Sequence, residues 1–343
     1  MADDSAPLLS VSHLKVTYPI RSSVLQRTVG ETVAVSDVTF DIRAGETVGL
    51  VGESGSGKST IARTIIGLVT ATAGHIRFEG VDITRLSLRQ LKSVRRDMQM
   101  VFQDPYASLN PRLTVRDIIA EGWRVHDGVV PRRLWTVEAK ELMERVGLNP
   151  DYADRYPHQF SGGQRQRIGI ARGVALHPKV LICDEPVSAL DVSVQAQVVN
   201  LLARLQKELG LAYVFIAHDL SVVRHISDRV GVMYLGSLVE IGDEDQIYGR
   251  PTHPYTQALL SAVPVPDPTL RHVRQQIKLT GDVPSPANPP SGCRFHTRCF
   301  KAQPNCSTEV PLLEPRPDGV SSHDSACHYA APLSLVNSRS RSA

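Results

Sequence analysis

The sequence predicts an α/β fold with a largely parallel sheet, followed by an irregular, cysteine-bearing appendix. Three observations predict it. Short apolar runs alternate with helix-like segments through the first 262 residues, the rhythm of an α/β domain. A glycine-rich stretch ending in lysine stands between one apolar run and the helical run after it. Twelve of the 23 prolines and four of the five cysteines lie beyond residue 263. The organisation expected is therefore a globular domain over 8–262, an appendix over 263–335, and a polar end, 336–343, too poor in apolar side chains to pack and expected to be disordered.

In chain order, Thr47–Val51 reads as a buried strand and Ser59–Leu68 as a helix. Met98–Phe102 is the next strand. Residues 105–160 then break the rhythm with no convincing strand, so a mostly helical insertion is expected there, including Val137–Val146. The alternation resumes with helix Gln164–Leu176, strand Val180–Cys183, helix Val192–Leu209, strand Tyr213–Ala217, helix Leu220–Ser227 and strand Val230–Tyr234. The basic run Arg89–Arg96 reads as a solvated helix face. Cys183, inside a strand, reads as packing.

Composition excludes several classes. With 42% hydrophobic and 21% charged residues the chain is not wholly disordered. No run approaches the roughly 18 apolar residues of a membrane-spanning helix. Met1–Pro7 is acidic and lacks an apolar core, so no signal peptide is expected. A net charge of +3 gives no ground for a general nucleic-acid binder. No internal repeat is visible.

Two patterns carry chemistry. Gly52-Glu-Ser-Gly-Ser-Gly-Lys58-Ser59 fits G-x-x-x-x-G-K-[ST] between a strand and a helix. Gly52, Gly55 and Gly57 let the backbone point N–H groups at phosphate oxygens, with Ser56 inside the loop and Thr60 just after it. Lys58 is expected to reach the β- and γ-phosphates and Ser59 to ligate Mg²⁺. Downstream, Val180-Leu-Ile-Cys-Asp184-Glu185 is an apolar strand ending in two carboxylates, where ligands bind in parallel α/β sheets. Asp184 is expected to hold Mg²⁺ through water, and Glu185 to polarise the attacking water.

Tyr156-Pro-His-Gln-Phe-Ser161-Gly162-Gly163-Gln164-Arg-Gln-Arg then resembles the signature motif of ABC-transporter ATPases, at a helix start 23 residues before Asp184. The family's other motifs follow in order. Tyr18 matches the aromatic that stacks on adenine, Gln103 the Q-loop glutamine, Ser188-Ala-Leu-Asp191 the D-loop, and His218 the switch histidine. Phe102–Arg112, Glu185–Val194, His253–Leu260 and Pro284–Cys293 are similar to the ATP-binding subunits of bacterial dipeptide/oligopeptide importers. Phe160 stands where the general signature often has leucine.

The resemblance, from about Leu8 to Tyr329, implies an α/β P-loop NTPase core with a mixed sheet, a helical subdomain at about 105–160 and ATP as ligand. It implies two cassettes paired head to tail, each nucleotide lying between one subunit's phosphate loop and the other's Ser161, Gly162, Gly163 and Gln164, with Asp191 nearby. His218 would position water with Glu185; Gln103 would link Mg²⁺ to the insertion. The implied partners are a second ATPase subunit, expected to be a paralogue, two membrane permease subunits and an extracytoplasmic solute-binding protein. The implied place is the cytoplasmic face of the membrane. Di- and oligopeptides are the expected cargo, with nickel, glutathione or another small solute as alternatives. A soluble ABC ATPase acting on DNA or ribosomes is the competing class. It is opposed by the single cassette and the 103-residue spacing from Lys58 to Ser161, which leaves room only for a compact insertion.

Cys293, Cys299, Cys306 and Cys327 are spaced C-x5-C-x6-C-x20-C. A proline-rich segment with little apolar content suggests a crosslinked or metal-held fold. A cytoplasmic setting disfavours disulfides, structural zinc usually shows a closer cysteine pair, and neither ferredoxin spacing matches. From the residues alone an iron–sulfur cluster, zinc and free thiols stay open. Similar subunits carry a 4Fe–4S cluster, so the resemblance implies one here. His296, His323 and His328 are expected to be surface histidines.

Overall fold

The computed structural model describes residues 6–22, 27–263, 276–315 and 322–333. The polar end at 336–343 lies outside the described residues.

Two long strands, β1 (Leu9–Arg21) and β2 (Thr28–Ile42), pair antiparallel. Strand β3 (Thr47–Val51) leads through the glycine-rich loop into helix α1 (Lys58–Ile65). Then come β4 (Ala73–Phe78), β5 (Val81–Asp82), α2 (Leu88–Asp97) and β6 (Met98–Val101). Between β6 and the next strand the described elements are helical: α3 (Pro105–Ser108), α4 (Val115–Ile119), α5 (Glu121–Val125), α6 (Trp135–Arg145) and α7 (Gly162–Val174), with short 3-10 turns. The chain continues through β7 (Val180–Asp184), α8 (Val192–Leu209), β8 (Ala212–Ile216), α9 (Leu220–Arg224), β9 (Arg229–Tyr234), β10 (Ser237–Asp243), α10 (Glu244–Gly249) and α11 (Pro254–Ala262). Two short strands follow, β11 (Glu314–Pro315) and β12 (Asp324–Ser325).

The strands form two sheets. One is antiparallel, in the order β2-β1-β4-β5. The other runs β11-β12-β10-β9-β3-β8-β7-β6. Its stretch from β9 to β6 is parallel and its remaining pairs are antiparallel, so the sheet is mixed. Central strands have both faces covered, and alternate side chains feed two cores. Val48, Leu50, Val180, Ile182, Val214 and Ile216 join the core under the antiparallel sheet and α1. Val51, Leu181, Cys183, Tyr213 and Phe215 join the core shared with the helices. Cys183 is fully buried there, and burial pushes its thiol up.

The appendix docks against this body. Its Phe295 is buried between Tyr234 and Tyr255, at ring centroid distances of 5.2 and 5.3 Å. Strand β12 pairs with β10 in the register Glu240↔Ser325 and Ile241↔Asp324. The appendix is thus less irregular than its composition suggests, since it extends the central sheet.

His323 departs from the surface position expected for it. It is buried, and its Nε2 lies 2.8 Å from Glu240 Oε1. Glu240 also accepts from the Thr252 N–H and hydroxyl, both at 2.7 Å, and from the His253 N–H at 3.1 Å. A buried carboxylate survives only when charged or polar donors replace its water, and β12 brings one of those donors from the appendix.

Candidate active site

The C-terminal ends of β6, β7, β8 and β3, four adjacent strands, converge on one cleft. After β3 the chain turns through Gly52, at φ 151°, and Gly57, at φ 99°. A Cβ on Gly52 would lie 2.2 Å from the Met233 carbonyl oxygen, and one on Gly57 2.3 Å from that of Ala34, so both positions admit only glycine. Gly57 is the N-cap of α1 and offers no capping side chain. The first N–H groups of α1 are therefore free for an anion.

Lys58 is folded back inside the loop. Its Nζ donates to the carbonyls of Gly52 at 2.7 Å and Glu53 at 3.0 Å. Burial pushes the ammonium below its usual range, against the pull of Glu185, Asp184 and Glu53. The cleft beside it, about 380 Å³, is lined by the loop, Thr60, Gln103, Glu185 and His218. Thr32, Ala34 and Pro286 complete the wall.

Ser59 donates its hydroxyl to Asp184 Oδ1 at 2.7 Å. Asp184 is buried, and its Oδ2 has no hydrogen-bond partner among the described residues. Burial pushes its carboxyl above the usual range, opposed by the Ser59 hydroxyl and by Arg63 and Lys58. A desolvated carboxylate with one oxygen unpartnered, beside a serine hydroxyl, is hard-oxygen chemistry that fits Mg²⁺.

Glu185 follows β7 in the left-handed region, at φ 46°. Such a conformation in a non-glycine residue is strained and is found where a side chain must be aimed. Its N–H donates to the Ile216 carbonyl at 2.9 Å, tying it to β8. Gln103 Nε2 donates to Glu185 Oε2 at 2.8 Å, and His218 Nδ1 lies 4.0 Å from the same oxygen. Ser188 holds the Glu185 carbonyl through its hydroxyl at 3.1 Å.

The remaining residues singled out in the sequence do not line this cleft, although Tyr18 borders it. Tyr18, on β1, is partly exposed and faces Thr32 of the cleft wall across the strand pair. Ser161 caps α7 in a reciprocal box with Gln164, whose Oε1 accepts the Ser161 N–H at 3.0 Å. Gly163 lets α7 approach α8, since a Cβ there would meet Val194 Cγ1 at 2.5 Å. Ser161, Gly162, Gly163 and Gln164 do not line the cleft, and neither does Asp191, the exposed N-cap of α8.

Cys293, Cys299 and Cys327 are half-buried in the appendix and Cys306 is buried. Burial pushes Cys293 up to about 11, and Cys327, Cys299 and Cys306 add to the shift. The Cys293 N–H donates to the Cys306 carbonyl at 2.8 Å. Among the described residues, no three His, Cys, Asp or Glu side chains form a group ready to hold a metal ion. The geometry therefore does not by itself carry the cluster expectation, although all four donors are soft sulfur.

Sequence reasoning missed Thr32, Ala34 and Pro286 as cleft residues, and Arg298, whose Nη1 lies 3.0 Å from Glu53 Oε2. None sits in a local pattern that marks a nucleotide site.

Comparison with known proteins adds the family. Residues 35–188 match the family described as ABC transporter. Residues 239–306 match the oligopeptide/dipeptide transporter C-terminal region. The oligopeptide transport ATP-binding protein AppF of Bacillus subtilis is 54% identical over 328 residues, covering 95% of this chain and 98% of that one. OppF of Escherichia coli, an oligopeptide transport ATP-binding protein, is 52% identical over 95% of this chain and 97% of its own length. Among solved structures, a dimeric post-hydrolysis state of the ATP-binding cassette MJ0796 with ADP and Pi is 28% identical. It superposes with a TM-score of 0.62 over 69% of this chain and 98% of that one. CbiO1 of Clostridium perfringens, part of the transporter complex cbiONQ, gives 0.61 at 27% identity, over 71% and 91%.

Proposed function

The chain belongs to the ABC transporter family of ATP-binding subunits, and from that premise we propose that it hydrolyses ATP to drive import of di- and oligopeptides. The observation that carries the reading is the convergence of Lys58, the Ser59–Asp184 pair and the Gln103–Glu185 pair at four strand ends. The C-terminal region match and the oligopeptide relatives support peptides as cargo.

The roles follow from position. Lys58 and the N–H groups of Gly55, Gly57, Ser59 and Thr60 bind phosphate oxygens, with Ser56 lining the loop while its N–H donates to the Glu53 carbonyl at 3.2 Å. Bound Mg²⁺ would be held by the Ser59 hydroxyl, by Asp184 and by Gln103, and would supply charge to the β- and γ-phosphates. Glu185 accepts a proton from the attacking water, with Gln103 and His218 fixing its carboxylate. Tyr18 stacks on the adenine above Thr32.

Ser161, Gly162, Gly163 and Gln164 act on a second cassette's nucleotide, with Asp191 at the same face. Their place outside this chain's own cleft supports that split site. The second ATPase is a paralogue, and the pair engages two permease subunits at the cytoplasmic face, fed by a solute-binding protein. The units are a cassette over 8–262 with its helical subdomain at 105–160 and an appendix over 263–335. We further propose that Cys293, Cys299, Cys306 and Cys327 hold a 4Fe–4S cluster as a structural staple. Four soft thiol donors within one proline-rich appendix support it.

The test is affinity purification of the tagged chain from gently solubilised membranes of its host. Two multi-spanning proteins and a second ATPase are the expected companions, with iron and acid-labile sulfide in the purified chain. A soluble complex with ribosomes or DNA factors would refute the importer reading; zinc in place of iron would refute the cluster.

A further inference from the structure

The phosphate loop contains a carboxylate that the chemistry above does not use. Glu53 follows Gly52, and a negative charge there opposes a polyanionic ligand. Its backbone is committed to the loop: the carbonyl accepts from Lys58 Nζ at 3.0 Å and the N–H donates to the Tyr255 hydroxyl at 3.1 Å. Its field reaches the Lys58 ammonium, alongside those of Asp184 and Glu185.

The countercharge comes from the appendix. Arg298 ends the 3-10 turn His296–Arg298, one residue before Cys299. Its Nη1 lies 3.0 Å from Glu53 Oε2 and 3.3 Å from Oε1. The Arg298 side chain is 9% exposed and that of Glu53 29%, so salt screens the pair only weakly. A buried ion pair is a poor fastener, because desolvating two charges offsets most of their attraction. Anchorage is already supplied three residues earlier by Phe295, packed on Tyr234 and Tyr255. Beyond a long contact from Nη1 to the Tyr234 hydroxyl at 3.5 Å, what the guanidinium supplies is positive charge behind the loop.

We infer that Arg298 is a positioning residue for ATP that acts through Glu53, cancelling its charge so that the phosphate loop accepts a polyanion. The appendix is then part of the nucleotide site, which it also touches at Pro286. This rests on the phosphate-loop reading above.

The full chain is titrated with fluorescent ribose-labelled ATP and ADP in Mg²⁺, with melting temperature followed alongside. Arg298→Gln is expected to weaken ATP binding about tenfold, and ADP, with less charge, less. Adding Glu53→Gln is expected to restore ATP affinity to within about threefold of wild type, whatever the melting temperature. Glu53→Gln alone leaves the appendix intact and is expected to bind ATP at least as tightly as wild type. The inference is overturned if Arg298→Gln binds ATP normally, if the double variant stays as weak as Arg298→Gln, or if Glu53→Gln alone binds less tightly. Should Arg298→Gln not fold, Glu53→Gln alone decides. A wild-type chain that bound no ATP would instead fail the phosphate-loop reading.

Discussion

Replacing His323 with alanine tests how the appendix is held. Glu240 is fully buried, and its Oε1 takes three of its donors: His323 Nε2, the Thr252 N–H and the Thr252 hydroxyl. The His253 N–H serves Oε2. Removing one hydrogen-bond donor from a charged group costs about 1.5–3 kcal/mol. Three donors remain on the carboxylate, so a cost of about 2 kcal/mol is expected at pH 7. Burial raises the Glu240 carboxyl, but the hydrogen bonds from His323 and Thr252 outweigh it and leave the group below its ordinary range. A carboxyl lowered on folding contributes stability that is present above its unfolded value, about 4.3, and lost as pH falls through the folded one. The variant loses a donor but keeps the burial, so its Glu240 titrates higher and sheds less stability in acid. The gap between the proteins is therefore widest near neutrality and narrows towards about pH 4. Urea unfolding of the full chain from pH 4 to 8 reads it out. A cost below about 1 kcal/mol at pH 7, or a gap that widens in acid, would refute the reasoning.

Three other outcomes follow from the geometry. Gly57→Ala puts a Cβ 2.3 Å from a backbone oxygen at φ 99°, and is expected to cost about 2–3 kcal/mol and abolish nucleotide binding, read by calorimetry. Glu185→Gln is expected to lower ATP turnover about 10²- to 10⁴-fold while leaving ATP affinity within a few-fold, as phosphate-release and binding assays would show. Under the cluster proposal, Cys293→Ser is expected to lower folded yield and bound iron together; a wild-type chain purified without iron, or a variant of normal yield, would refute the staple.

The nucleotide cleft was legible because its parts are local. A phosphate loop is eight consecutive residues, and Asp184–Glu185 end an unbroken apolar strand. The antiparallel sheet was not legible, and the reason is phase. Along β1 the buried residues are Leu9 and Val11, then Leu14 and Val16; along β2 they are Val35, then Val38, Phe40 and Ile42. Each strand slips its alternation once, near His13 at φ 49° and near Asp37 at φ 53°. The two side chains meet at the slip, His13 Nδ1 lying 2.6 Å from Asp37 Oδ1. A period-two template sees only fragments there. The docking of the appendix escaped for a different reason: Glu240 and His323 are separated by 83 positions, and neither carries a local mark of burial.

The way β12 closes the sheet also sets an order of events during synthesis. The cassette's strands have all been made once Asp243 is joined, yet the partner of β10 arrives with Asp324, roughly eighty residues later. At about 5–20 residues per second, that is some 4–16 seconds on the ribosome. Throughout that interval the nascent domain presents an open strand edge and a buried-type glutamate that lacks its imidazole. The newborn chain is most exposed to mispairing or chaperone capture then, before the appendix has been translated.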